Sequence, residues 1–121
     1  MIIRPYIILG FFVLRRDSMK IYVSGTDDEV MSLLGSFSIT KDLENSDNVL
    51  ILPGGLGTFL DIFRAIDLGK NVILYNKDMF YTSLIKNLYE AHTSRYIEGA
   101  PSTYIDIECE IEEILKKLEE K

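Results

Sequence analysis

Pro53-Gly54-Gly55-Leu56-Gly57-Thr58 follows the apolar run from Asn48 to Leu52 and opens an amphipathic segment. A strand that ends in a turn without bulky side chains, then a helix, leaves backbone amides clustered at the helix's first turn. Glycines there let the main chain approach an anion, and the helix end adds a partial positive charge. The chemistry to expect is the grip of a phosphate. Thr58 and Asp61 also fit a capping box, with Thr58 capping the helix and Asp61, at i+3, reaching back. Capping explains Thr58 and Asp61 without a ligand. It explains Gly54, Gly55 and Gly57 less well, because glycine carries an entropic cost and one usually suffices for a turn. The spacing is neither the dinucleotide G-x-G-x-x-G nor a P-loop, since no Lys-Ser/Thr follows.

Other reactive residue types are sparse. Asn76 stands at the carboxyl end of an expected strand, where it either touches a ligand or shapes the turn. His92 reads as a loop or C-terminal-turn residue. Cys109 is the only cysteine, so it has no internal disulfide partner and no companion for a zinc cluster. It lies between Glu108 and Glu110, whose carboxylates disfavour a thiolate, and reads as a structural or surface thiol.

The elements that position these residues follow from periodicity. Lys20 to Ser24 predicts a short strand ending at Gly25-Thr26-Asp27-Asp28. Glu29 to Leu34 predicts a helical turn or two, and Thr40 to Asn45 another short helix. Asn48 to Leu52 is apolar without alternation, as a parallel strand covered on both faces requires. Phe59, Ile62, Phe63 and Ile66 form one helical stripe, stopped by Gly69. Asn71 to Tyr75 is the next buried strand. Tyr81, Leu84, Ile85 and Leu88 repeat the helical spacing, and Gly99-Ala100-Pro101 breaks the chain. Thr103-Tyr104-Ile105 predicts a strand. Asp106 is the expected N-cap of a last helix with the stripe Ile111, Ile114, Leu115 and Leu118. Alternating strands and helices predict an α/β fold, a parallel sheet between helical layers. Ligands in such sheets bind at the carboxyl ends of the strands.

Size and charge bound the rest. The chain has 121 residues, 47% of them hydrophobic and 26% charged, which predicts a single domain over 1–121 with a real core. A net charge of −6 argues against a nucleic-acid partner but leaves room for a single nucleotide in a local cradle. Pro5 to Leu14 is almost continuously apolar, yet too short to span a bilayer. Its arginines follow it, where a signal peptide would carry them before. A buried extra strand is the preferred reading. With Met19 as an internal start, residues 1–18 would instead be a leader extension. The expected address is the cytoplasm, with no membrane partner.

The segment Pro53-Gly54-Gly55-Leu56-Gly57-Thr58-Phe59-Leu60-Asp61 resembles the P-G-G-x-G-T-x-x-E motif of the LOG (LONELY GUY) family, which also carries a lysine-decarboxylase label. The resemblance continues through Ser46 to Leu52 before the motif and Leu68 to Asn76 after it. Met79-Phe80-Tyr81 with Leu84-Ile85 is similar to that family's G-F-Y-D-x-L-L segment. About two thirds of the chain is covered, from about residue 40 onward. The resemblance implies a Rossmann-like three-layer fold, usually dimeric, that binds nucleoside monophosphates. It also implies hydrolysis of a nucleotide N-glycosidic bond to free base and ribose 5-phosphate, with no metal or cofactor. Carried onto this sequence, Gly54, Gly55, Gly57 and Thr58 hold the phosphate, and Asp61 acts at the ribose. The decarboxylase label has no recognisable pyridoxal lysine behind it.

The departures are specific. Asp61 is one methylene shorter than the motif's glutamate, and catalytic reach tolerates little displacement. The family's upstream arginine-lysine pair is absent, and Lys41 is the one cation the segment from Ser36 to Glu44 offers in its place. It is a point charge, not a planar fork. The family's first βαβα unit has no clear counterpart, so the fold is truncated relative to it. Ser24-Gly25-Thr26 reads either as a replacement for one of its loops or as an ordinary turn. Two functions follow: a minimal phosphoribohydrolase, or a nucleotide-binding module that keeps only the phosphate cradle. A degenerate structural or dimerisation unit is the third reading.

Overall fold

β-branched and leucine-rich runs, cut by turn residues, give the sheet. The computed structural model describes residues 19–120. Its elements are β1 (Lys20–Ser24), α1 (Asp28–Ser32), β2 (Ser38–Thr40), β3 (Asn48–Ile51), α2 (Leu56–Asp67), β4 (Asn71–Tyr75), α3 (Thr82–Thr93), β5 (Ile105–Glu108) and α4 (Ile111–Glu120). The five strands pair in parallel in the order β2-β1-β3-β4-β5. The protein is therefore an α/β Rossmann-like three-layer fold. The apolar run of Pro5 to Leu14 lies outside the described residues.

Both faces of the sheet are dry because successive residues of the central strands point to opposite sides. Val49 and Ile51 of β3, Val72 and Leu74 of β4 and Ile105 of β5 meet Ile62 and Ala65 of α2 and Leu88 of α3. Leu50, Leu52, Ile73 and Tyr75 meet Val30 of α1 and Ile114 and Leu118 of α4 on the other side. Every residue of β3 is buried, which explains its lack of alternation. α2 ends where expected. Gly69 donates to the Ile66 carbonyl and Lys70 to the Ala65 carbonyl, the paired bonds of a glycine-terminated helix. The core stripe of α2 is Thr58, Ile62 and Ala65, flanked by Phe59 and Ile66. Phe63 is 46% exposed, off the stripe assigned to it.

Three element expectations need correction. Residues 40–45 form no helix. The chain up to Thr40 pairs with β1 as edge strand β2, with Tyr22 opposite Thr40. Beyond it, polar side chains take the local amides: Thr40 Oγ1 accepts from Asp42 N at 3.1 Å and Asp42 Oδ1 from Glu44 N at 3.2 Å. Such bonds draw the backbone away from helix. Residues 41–47 thus return from β2 to β3 without a crossover helix, and only Leu43 and Ser46 are buried within them besides the exposed turn. The last strand is displaced as well. Pro101 starts a short 3₁₀ turn, Pro101–Thr103, closed by Thr103 N and Tyr104 N on the Ala100 and Pro101 carbonyls, so β5 begins only at Ile105. Asp106 is consequently not a helix cap. It pairs opposite Ile73 within β5, and Lys117 of α4 stands 3.9 Å from its carboxylate.

Candidate functional site at the carboxyl edge of the sheet

Strand order decides where a cleft forms. β1 lies between β2 and β3, so the chain winds one way from β1 and the other way from β3. Loops leaving the carboxyl ends of β1 and β3 part there, and ligands of doubly wound sheets bind at such a reversal. Both loops carry glycine. Gly25 has φ +86, and a methyl group on it would enter the Leu52 carbonyl oxygen. Without a side chain the two loops close on each other: Thr26 N donates to Pro53 O at 2.9 Å, and Leu52 N to Ser24 O at 2.8 Å.

The glycine turn itself divides in two. Gly54 is dictated by packing, because a Cβ there would collide with the Thr58 hydroxyl. Gly55 and Gly57 are different. Neither has positive φ, and a Cβ on either would meet nothing within 4 Å. Both are exposed, at the start of α2, where Gly55 is the N-cap and offers no side chain to the helix amides. Phe59 N bonds the Gly55 carbonyl as the first helical bond. Among the described residues no acceptor is recorded for the N–H groups of Gly55, Leu56, Gly57 and Thr58. The Gly54 N–H, by contrast, points at the Tyr81 phenol oxygen. That phenol donates to Leu52 O at 2.6 Å, and burial pushes its pKa up to about 12, with the Gly54 N–H pulling the other way.

The capping box expected of Thr58 and Asp61 does not form. Both side chains turn inward to β1. Thr58 is buried, with its hydroxyl 3.3 Å from Ser24 Oγ. Asp61 Oδ2 accepts from Ser24 Oγ at 2.6 Å and from the Tyr22 hydroxyl at 3.0 Å. The reason is helical geometry. Asp61 lies one turn after Gly57 on the side of α2 that faces β1, where two hydroxyls already point to the same face. Burial, then the bond to Asp61, raises the Tyr22 phenol above its ordinary pKa, and nearby Arg64 offsets part of that. Asp61 thus stands beside the glycine turn with one carboxylate oxygen doubly hydrogen-bonded.

An open cleft of about 460 Å³ lies at the loop after β1, lined by Thr26, Asp27, Asp28, Glu29 and Lys77 and by no residue of the glycine turn. Asp27 is the N-cap of α1, and its Oδ1 accepts from Val30 N at 3.1 Å. Its Oδ2 takes the Lys77 ammonium at 2.6 Å. Lys77 holds the Asp27 carboxyl below its ordinary range, with the Val30 N–H adding to the effect, and Asp27 in turn raises the Lys77 pKa. Lys77 follows β4, so this pair crosses the end of β3 to reach the loop after β1.

The remaining nominated residues separate. Asn76 is buried beside this cleft with both ends of its amide engaged: Oδ1 accepts from Tyr81 N at 2.6 Å and Nδ2 donates to Thr82 Oγ1 at 3.1 Å. It shapes the turn into α3. Lys41 is exposed on the loop after edge strand β2, one strand further from the glycine turn than β1. His92 sits in the last turn of α3, Nδ1 3.2 Å from Ile97 O, and Cys109 is exposed. The residues missed in the sequence are Tyr22, Asp27 and Lys77, while Ser24 enters the sequence reading only within the loop Ser24-Gly25-Thr26 and not as a partner of Asp61. A polar residue at the end of each of β1 and β4 was the available signal, but only the strand order tells that those ends flank β3.

Among the described residues no helix is long and apolar enough to cross a membrane. No protein-family model matches the chain, and no curated protein or solved structure gives a significant match to it.

Proposed function

We propose that this chain binds a nucleoside 5′-monophosphate at the glycine turn and hydrolyses its N-glycosidic bond, in the manner of the LOG family that its motif resembles. The observation that carries the proposal is the contrast within the turn. Gly54 answers to packing, whereas Gly55 and Gly57 answer to nothing inside the described protein and leave bare amides at a helix start. Backbone N–H groups so arranged suit the oxygens of a phosphate. Thr58 joins through its N–H, since its hydroxyl is turned to Ser24.

In this reading Asp61 sits at the ribose. Its charge stabilises the cationic sugar that develops as the bond between C1′ and the base nitrogen breaks. A water oxygen then bonds to C1′ and its proton passes to the departing base, giving free base and ribose 5-phosphate. Tyr22 and Ser24 orient the carboxylate. The second reading is a module that binds without turnover. It is favoured by the two hydroxyls already spent on Asp61 Oδ2, and by the distance of Lys41 from the turn. In either case the partner is a small-molecule nucleotide, with a homodimer as the expected assembly, a cytoplasmic address, and no metal or cofactor.

The test pairs binding with product release. Adenosine 5′-monophosphate (AMP) at about 100 times its dissociation constant is expected to raise stability by about 2.7 kcal/mol. Gly57→Val, which fills the open space above the helix start, is expected to abolish the shift while leaving the unliganded melting temperature close to wild type. Release of adenine that disappears in Asp61→Ala identifies the enzyme. A shift without adenine identifies the binding module. No shift with any of the common nucleoside monophosphates rejects both.

A further inference from the structure

We propose that two copies of this chain meet on the outward face of α2, in an antiparallel two-fold pairing along Leu56, Leu60, Phe63 and Asp67. This stands apart from the nucleotide reading and gives the expected homodimer a surface.

Exposure comes first. α2 turns Thr58, Ile62 and Ala65 to the core, yet its opposite side is apolar as well. Leu56 is 82% exposed, Leu60 64% and Phe63 46%. Single exposed leucines are ordinary, whereas a row of large apolar residues along one helix face marks a contact surface. The surface continues past the helix. The Phe59 ring stands 6.0 Å from that of Tyr81, the Phe80 ring 4.8 Å from the same ring, and Phe80 and Met79 are exposed. A half-exposed phenylalanine leaves roughly 100 Å² uncovered. Leu56, Leu60, Phe63, Met79 and Phe80 together reach the upper end of what a monomer leaves bare, on the order of 300–600 Å². Paired with a copy of itself, such a patch makes an interface below about 800 Å² a partner, small and reversible.

Spacing names the occupant. Leu56, Leu60, Phe63 and Asp67 follow at intervals of four, three and four residues, the heptad seam of packed helix pairs. The intervals read the same from either end. A two-fold axis therefore lays the row on a reversed copy of itself, with Leu60 of one copy against Phe63 of the other and Leu56 against Asp67. That self-match is the signature of an isologous contact between identical chains.

Charge sets the direction. Among the exposed residues of α2 only Arg64 and Asp67 are charged, and the core of an interface is poor in charge. Parallel helices would put Asp67 beside Asp67 and Arg64 beside Arg64, like against like. Antiparallel helices hold the two Asp67 carboxylates about 16 Å apart along the axis. Each then lies at the first turn of the other helix, where the dipole favours a negative charge.

The experiment is sedimentation of the full chain over a range of concentrations, as wild type, Leu60→Glu and Phe63→Glu. Each is verified as folded by circular dichroism and by its melting temperature at high dilution. Both side chains are exposed in the single chain, so the variants are expected to keep the wild-type fold. Wild type is expected to dimerise reversibly, and each variant to associate at least about thirtyfold more weakly, the loss typical of an interface hot spot. Direction is read in a Cys109→Ser background. Leu56→Cys mixed with Asp67→Cys is expected to form a mixed disulfide dimer, while neither chain links to itself; self-linked Leu56→Cys overturns the antiparallel pairing. Wild type that stays monomeric at every concentration overturns the proposal, and so does a dimer that both glutamate variants leave intact. A monomer whose melting temperature falls in Leu60→Glu has this face covered from within its own chain, which overturns it too.

Discussion

A methyl group added at Gly25 meets two obstacles at once, the left-handed φ of +86 and the Leu52 carbonyl oxygen. The backbone term alone costs about 1–2 kcal/mol, and overpacking adds a further 1–3 kcal/mol or so. Gly25→Ala is therefore expected to lower unfolding stability by at least about 2 kcal/mol in urea titration. Gly55→Ala, with open space around its Cβ, should change it by under about 1 kcal/mol. Equal losses at the two positions would remove the distinction between packed and open glycines on which the site rests. The glycine turn was legible because glycines cluster in sequence. Gly25 was not legible as its counterpart, because its constraint comes from Leu52 and Pro53, which are remote in the chain. The bond from Ser24 to Asp61 was hidden for the same reason, and a capping role for Asp61 looked equally good locally.

α3 begins on a side chain, not on a cap of its own. Tyr81 precedes Thr82, is 1% exposed, and fastens the start of the helix through its phenol to the Leu52 carbonyl, one residue beyond β3. Phe59 and Phe80 rings stand edge-on to it, with centroids 6.0 and 4.8 Å away. Tyr81→Phe leaves the Leu52 oxygen without that donor and is expected to cost about 1–3 kcal/mol. The pH dependence has a definite sign. The folded pKa is about 12 against an ordinary 10.0, so the folded state favours the protonated phenol. Its contribution is complete below pH 10 and is lost as pH rises through about 12. Urea titrations at increasing alkaline pH are expected to show wild type losing stability more steeply than Tyr81→Phe; parallel profiles would rule out the phenol as the source. Periodicity found α2, α3 and α4 and the three central strands, since burial on both faces writes itself into apolar runs. It failed at β2 and at residues 41–47, where Ser, Thr and Asp side chains bond locally and no apolar stripe records the outcome.

At the scale of the whole molecule, the strand order unites three loops that are far apart in the chain: those after β1, β3 and β4. Nothing in the sequence fixes that order, although the alternation of strands and helices restricts it. The short return from β2 to β3 also sets a hierarchy within the sheet. β3 is bonded on both sides and covered on both faces, while β2 has three residues, one neighbour among the described strands, and Ile39 47% exposed. Local opening draws on the least buried hydrogen bonds first. In native-state hydrogen–deuterium exchange, amides of Ser38 to Thr40 are expected to exchange by local opening, well before those of Val49 to Ile51, which should report global unfolding. The Lys77 to Asp27 bridge joins the loops after β4 and β1 across the end of β3. Lys77 holds the Asp27 carboxyl below its ordinary range, so the tie is complete at neutral pH and is lost as acid protonates the carboxylate, and the two loops should then loosen together.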